Sequence, residues 1–271
     1  MDPRDRNAVV TGAAGGIGAA VAEELLRRGA RVALADLPGE RLDATRERLA
    51  ATYGERVIAV PGDASSRADL EALLAAGREA HGPVDLFVAN AGVPGTPELG
   101  GSDEEWQRAL DVNVLAHVRA AQLVVPAWLE RGEGYFVSTA SAAGLLTQIG
   151  SATYSVSKHA AVAFAEWLAV TYGTRGVKVS CLCPMGVDTD MLNLGRSSDD
   201  VVERTMAQAV TDAGDVLSPA QVAEVLLDAV AQERFLVLPH PQVHRMVQGK
   251  AADHDRWIAG MQRYAASLGV S

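Results

Sequence analysis

Residues 7–36 read NAVVTGAAGGIGAAVAEELLRRGARVALAD, and two hydrophobic periods meet inside them. Asn7 to Gly12 is a short Val-rich run, the pattern of a strand buried on both faces of a sheet. From Gly16 the apolar residues recur at helical spacing, until Gly29 follows Arg27 and Arg28 as a C-terminal stop. Arg31 to Asp36 then repeats the first pattern. Strand, helix and strand in immediate succession predict a right-handed crossover between parallel strands.

The rest of the chain keeps this alternation. Val-rich runs at 56–63, 84–92, 134–141, 177–184 and 234–239 are expected strands, separated by longer stretches with helical spacing. Ser218 and Pro219 open one such helix as N-cap and first helical residue. The expected fold is therefore α/β: a doubly wound parallel sheet of about seven strands, with helices on both faces. No linker, low-complexity segment or repeat interrupts it, so residues 1–271 are expected to form a single domain. Residues 190–217 break the rhythm, and a long irregular insertion of this kind reads as a lid. The extension 240–271 carries Val243, Met246, Val247, Trp257, Ile258, Met261 and Tyr264, partly at helical spacing, and needs a surface to pack on.

At 271 residues, 48% of them hydrophobic, the chain can bury a sizeable core. Its formal charge of -10 argues against a nucleic-acid partner, because phosphate binding draws its affinity from clustered Lys and Arg. No uninterrupted apolar run approaches the roughly 20 residues that span a bilayer, and MDPRDRNAVVTG has no apolar leader segment. No membrane association and a cytoplasmic location are expected. Cys181 and Cys183 would lie on the same side of a strand yet be poorly placed to bridge, so they read as packing residues.

Chemistry enters at TGAAGGIG, residues 11–18. Gly12, Gly16 and Gly18 allow a tight turn and close backbone approach, and the following helix N-terminus offers N–H groups to a pyrophosphate. The spacing departs from G-x-G-x-x-G. Asp36 ends the second strand where a carboxylate accepts two ribose hydroxyls and repels a 2′-phosphate, so NAD is favoured over NADP. Gly15 agrees, since no basic residue stands inside the turn, and Arg41 reads as a solvated charge. Further on, SATYSVSKHAA (151–161) places Tyr154 and Lys158 one helical turn apart on a shared face. An ammonium beside a phenol stabilises the phenolate, making the pair a tuned proton donor and acceptor.

Taken together these motifs resemble the short-chain dehydrogenase/reductase family, from Asn7 to about Pro239. TGAAGGIG is similar to its TGxxxGxG, Asn90-Ala91-Gly92 to its strand-four NAG, and YSVSK to its YxxxK. The resemblance implies a Rossmann-like fold, an NAD cofactor and a small-molecule secondary alcohol or ketone as substrate. It implies Tyr154 as the group that exchanges a proton with the substrate oxygen and Ser141 as the hydroxyl that holds that oxygen. Lys158 would lower the tyrosine pKa and bind the nicotinamide ribose, and Asn113 would position a relay water. The cofactor would run along Gly12, Gly15, Gly16, Ile17, Gly18, Asp36, Leu37, Asp63, Ala64, Asn90, Ala91 and Gly92. It would continue past Tyr154 and Lys158 to Pro184, Gly186, Val187 and Thr189, with Asp63 at the adenine and Val187 and Thr189 at the carboxamide. Ala64 and Met185 depart from the family's usual residues. A homotetramer or dimer built on 102–131 and 152–173 is also implied.

Other readings are weaker. A dinucleotide-sensing protein without turnover needs the glycine turn and Asp36 but has no use for Ser141, Tyr154 and Lys158 together. A sugar-nucleotide epimerase or dehydratase shares Tyr-x3-Lys but needs a larger C-terminal substrate domain. His240, His244 and His254 offer no metal site, because PHPQVH straddles a strand exit and its prolines break a common helical face. The substrate pocket is expected under 188–217, with Met191, Leu192, Leu194, Val201, Val202 and Met206 as apolar surface. Walls are expected from 96–99 and 145–149, and Arg196 and Arg204 are the only cations expected to meet an anionic substrate. An apolar or aromatic substrate follows.

Overall fold

A computed structural model describes residues 1–269. Its strands are β1 (Asn7–Thr11), β2 (Arg31–Asp36), β3 (Val57–Pro61), β4 (Val84–Ala89), β5 (Gly134–Thr139), β6 (Val177–Leu182) and β7 (Leu236–Val237). They form one sheet in the order β3-β2-β1-β4-β5-β6-β7, and every pairing is parallel. The expected doubly wound Rossmann-like sheet is therefore present. β7 is shorter than the run 234–239 because it is an edge strand, and Pro239 has no N–H to extend the ladder.

Helices cover both faces. On one lie α1 (Gly16–Arg27), α2 (Glu40–Tyr53) and, from later in the chain, the helix Pro219–Ala231. On the other lie α3 (Arg67–His81), α4 (Asp103–Leu110), α5 (Ala116–Arg131) and α6 (Ala152–Tyr172). Successive strand residues alternate between the faces. Val10, Leu34 and Tyr135 belong to the first core with Leu26 and Leu226, while Val9, Phe87 and Phe136 belong to the second with Leu74 and Trp128. Phe87 and Phe136 stack with ring centroids 5.9 Å apart. Trp128 is buried and donates its indole N–H to the Val84 carbonyl at 2.7 Å.

A π-helical turn at Asp111–Leu115 joins α4 to α5, making a rod of 29 residues. Among the described residues it is the one helix whose length and composition would permit a bilayer crossing. Ala120, Ala121, Val124, Val125 and Trp128 are instead packed into the second core, so it is a partly buried core helix.

Residues 190–217 differ from the irregular segment expected. They fold as α7 (Asp190–Ser197) and α8 (Val201–Asp212), followed by α9, the Pro219–Ala231 helix already placed. The signal for α8 was present in the sequence: Asp200 is an N-cap that accepts from Val202 N and Glu203 N. The extension folds as α10 (Pro241–Ala252) and α11 (His254–Ser267). Lys250 of α10 donates to the carbonyls of Leu145 and Leu146, both at 2.9 Å.

β1 pairs with β2 on one side and β4 on the other, so the chain reverses direction across the sheet at this point. The loops leaving β1 and β4 diverge there, opening a crevice beyond the carboxyl ends of the strands.

Candidate active site

The crevice is built on the turn after β1. Gly12 and Gly16 have φ of 67° and 53°, the left-handed region that glycine enters without strain. A Cβ on Gly18 would lie 2.0 Å from the Gly12 carbonyl oxygen, so α1 can begin directly beneath the turn only because the side chain is absent. The β4 end clamps the same turn: Asn90 donates Nδ2–H to Thr11 O at 3.1 Å, and Thr11 Oγ1 accepts from Asn90 N and Ala91 N. No side chain caps the α1 N-terminus, whose free N–H groups and dipole suit a pyrophosphate.

At the end of β2 the Asp36 carboxylate is fixed by Ala14 N–H on Oδ2 and Leu37 N–H on Oδ1, each at 2.8 Å. Each oxygen keeps an acceptor position for a hydroxyl. Asp63 accepts from Ser65 N and Oγ through Oδ1. Arg41 is not simply a solvated charge: it pairs with Asp190 of α7, and its guanidinium lies 2.7 Å from where a Gly15 Cβ would stand.

Across the crevice, Ser151 caps α6, placing Tyr154 and Lys158 in its first two turns. Lys158 is 4% exposed and donates to the Thr139 carbonyl at 3.2 Å, with its Nζ 5.6 Å from the Tyr154 ring centroid. Burial lowers the Lys158 ammonium to about 8. Burial pushes the Tyr154 phenol above its ordinary value, and the nearby Ser141 hydroxyl pulls the other way. This differs from the expected lowering of the phenol by Lys158, whose hydrogen bond is directed at Thr139. Ser141 caps the short turn Ala142–Gly144, accepting from Ala143 N at 3.1 Å.

The cleft has a volume of about 1700 Å³. Ser141 lines it, as do sixteen of the expected positions from Gly12 to Thr189, among them Asp36, Leu37, Asp63, Ala64, Asn90, Gly92, Tyr154, Lys158, Pro184 and Val187. Asn113, Gly18 and Gly186 do not. Asn113 is fully buried in the π turn, its amide committed to Val93 N, Val93 O and Ser157 Oγ. Gly18 packs under Gly12. The Gly186 carbonyl accepts from Leu217 N and His240 Nε2, while His240 Nδ1 accepts from Met185 N. The buried His240 ring thus holds the loop after β6.

The expected wall 96–99 is also corrected. Glu98 bridges Gly150 and Ala152 through its backbone, leaving Leu99 79% exposed, and Val93 and Pro94 line the cleft in its place. Met191, Leu192, Leu194 and Met206 line it as expected, whereas Val201 points to solvent and Val202 does not line it. The extension, expected only to pack on the body of the fold, also enters the site: Met246, Trp257, Met261 and Tyr264 line it. Their helical spacing was visible; their destination was not.

The short chain dehydrogenase family model matches residues 6–200. The chain belongs to the short-chain dehydrogenase family. Among its relatives, 1-deoxy-11-beta-hydroxypentalenate dehydrogenase of Streptomyces avermitilis is 34% identical over 275 residues, covering 100% of this chain and 98% of its own. Glycine betaine reductase ATRR of Emericella nidulans is 34% identical over 232 residues, 85% of this chain but only 18% of that much longer protein. A short-chain dehydrogenase/reductase from Burkholderia phymatum, solved with NAD, has a TM-score of 0.84 at 31% identity over 94% of this chain and 96% of that one. L-sorbose reductase of Gluconobacter frateurii, solved with NADPH and L-sorbose, gives 0.77 at 26% identity over 88% and 97%. This short-chain dehydrogenase is accordingly an oxidoreductase of alcohol or ketone substrates that works with a nicotinamide cofactor. The glycine turn, the uncapped α1 terminus and the anchored Asp36 fit such a dinucleotide.

The buried ammonium gives the dehydrogenase a testable pH signature. Because the folded-state value of Lys158 lies below the ordinary lysine value of 10.5, the unfolded chain binds more protons between about 8 and 10.5, and stability from this group rises with pH over that window. Relative to Lys158→Met, the wild type should gain on the order of 3 kcal/mol as pH rises from 8 to 10.5. Urea unfolding of both proteins across that range checks it, and parallel pH profiles would refute the assignment.

Proposed function

We propose that this short-chain dehydrogenase uses NAD to interconvert an apolar or aromatic secondary alcohol and its ketone, with Tyr154 as general acid and base. The observation that carries the reading is the convergence of Tyr154, Ser141 and Lys158 on one wall of the cleft whose other wall is the glycine turn. When bound, the nicotinamide supplies the hydride acceptor or donor. The Tyr154 hydroxyl moves the proton at the substrate oxygen, and the Ser141 hydroxyl holds that oxygen by a hydrogen bond. A phenol kept protonated by burial is ready to donate during ketone reduction. Lys158, charged below about 8, stabilises negative charge on the oxygens and is placed to hold a ribose hydroxyl. Asn113 acts through position: from the π turn its side chain fixes Val93 of the cleft wall, beside which a relay water would sit.

The preference for NAD rests on Asp36, whose carboxylate repels a 2′-phosphate. An apolar substrate is supported by the lining itself. Arg196 and Arg204, the cations expected to meet an anion, do not line the cleft, and Arg204 donates to the Ser198 carbonyl instead; Arg41, paired with Asp190, and Arg108 line it in their place. Residues 190–217 act as the lid of a single domain. We further propose a dimer or tetramer through the rod 103–131 and α6, since α6 exposes Val156, Trp167 and Val170, the last 83% exposed.

Three outcomes follow. Tyr154→Phe should lower turnover by ~10²–10⁴, the loss typical of a missing general acid–base, while NADH affinity is kept; near-normal turnover would sink the mechanism. Asp36→Ala should weaken NAD and improve tolerance of NADP, and an unchanged turnover ratio between the two cofactors removes Asp36 from the ribose site. By light scattering, Val170→Glu should reduce the particle mass of an oligomeric wild type, and a monomeric wild type refutes the assembly.

A further inference from the structure

We infer that α10 and α11 form the substrate-selecting wall of the cleft, and that the substrate is an apolar alcohol or ketone larger than a single ring. The inference rests on the alcohol and ketone reading above and adds size to it.

The first ground is volume. Ordinary small-molecule pockets run from ~300 to 1,000 Å³, and this cleft, at about 1700 Å³, has room for a dinucleotide and a large second ligand. The second is composition. The chain has six methionines, and every one except Met1 lines the cleft: Met185, Met191, Met206, Met246 and Met261. Methionine is unbranched and polarisable, and it adapts to irregular apolar shapes. The third is the order built into the wall. Lys250 Nζ sits 4.9 Å from the Trp257 ring centroid while donating to the Leu145 and Leu146 carbonyls, in the stretch that follows Ser141. Tyr264 donates its hydroxyl to Ala209 O of α8 at 3.4 Å. Trp257 and Tyr264 are therefore tied both to the serine loop and to the lid helix.

The family-model match ends at residue 200, before this wall begins. Neither α10 nor α11 contributes a cationic side chain to the lining, among the described residues. Lys250 is turned to main-chain carbonyls. A substrate end resting on this wall meets a tryptophan, a tyrosine ring and two thioethers, which reward apolar area and offer nothing to a phosphate or carboxylate.

The test compares 2-decalone, with two fused rings, and cyclohexanone, with one, using NADH and the full-length wild type, Trp257→Ala and Met261→Ala. Wild type should prefer 2-decalone in kcat/KM. Trp257→Ala should raise its KM about tenfold at nearly constant kcat, in line with the loss of hydrophobic pocket contact. KM for cyclohexanone should change less than twofold, with NADH affinity unchanged. Calorimetric binding of 2-decalone to the NADH complex is measured beside turnover. Binding that weakens in Trp257→Ala without turnover in any protein supports the wall and refutes the activity. Turnover of 2-decalone with unchanged KM in both variants refutes the wall and keeps the activity. A wild type that favours cyclohexanone, or does not bind 2-decalone, overturns the inference. If Trp257→Ala does not give a cooperative melt, Trp257→Leu and Met261→Ala carry the comparison.

Discussion

The crevice exists because three backbone segments come closer than a side chain would allow. Gly12 follows β1 in the left-handed region, Gly18 lies against its carbonyl oxygen, and Asn90 at the end of β4 donates to the Thr11 and Gly12 carbonyls. If a methyl group stood at Gly18, α1 would have to lift off the turn, and its free N–H groups would no longer face the opening. The polar requirement for anion binding is thus met by steric emptiness: the turn binds with main chain, and the main chain is reachable because nothing else is there.

Opposite the turn the logic is reversed, because there the chain buries charge. Lys158 is held deep between α6 and the end of β5, where its ammonium is costly and its proton comparatively loose. The same burial makes the Tyr154 phenol reluctant to ionise. Burial therefore pulls the two acidities apart: the phenol holds its proton more tightly while the ammonium gives its proton up more readily. Tyr135, in the body of the sheet, is pushed to about 12 by burial and bonds only Ser180, so depth alone does not make a phenol reactive.

How much of this was legible follows from the kind of signal involved. The sheet was readable because Val-rich runs alternate with helical periods, and both signals are local. Asp36, Tyr154 and Lys158 were readable because each belongs to a short motif with fixed spacing. Residues that act through distant contacts were not. His240 was weighed as a metal ligand, since nothing in PHPQVH says that its ring will bridge Met185 and Gly186. Lys250 reaches back 105 residues to the serine loop, and Trp257 joins the cleft through that contact. The extension's spacing announced a helix face but not its partner, which only the closed chain supplies.

The π turn at Asp111–Leu115 also explains why the helical pattern of this region is hard to phase. Buried positions Ala109, Asn113, His117, Ala121 and Val125 recur every four residues. On an unbroken α-helix each such interval runs ahead by about 40°, so that Ala109 and Val125 would end about 160° apart. One residue taken up by the wider turn sets the helix back by about 100°, leaving a stripe that stays turned to the interior, first against α6 and then against the sheet. The turn works as a phase correction for the rod, and deleting a single residue there would rotate α4, with Gln107 and Arg108 at the cleft mouth, out of register with the core.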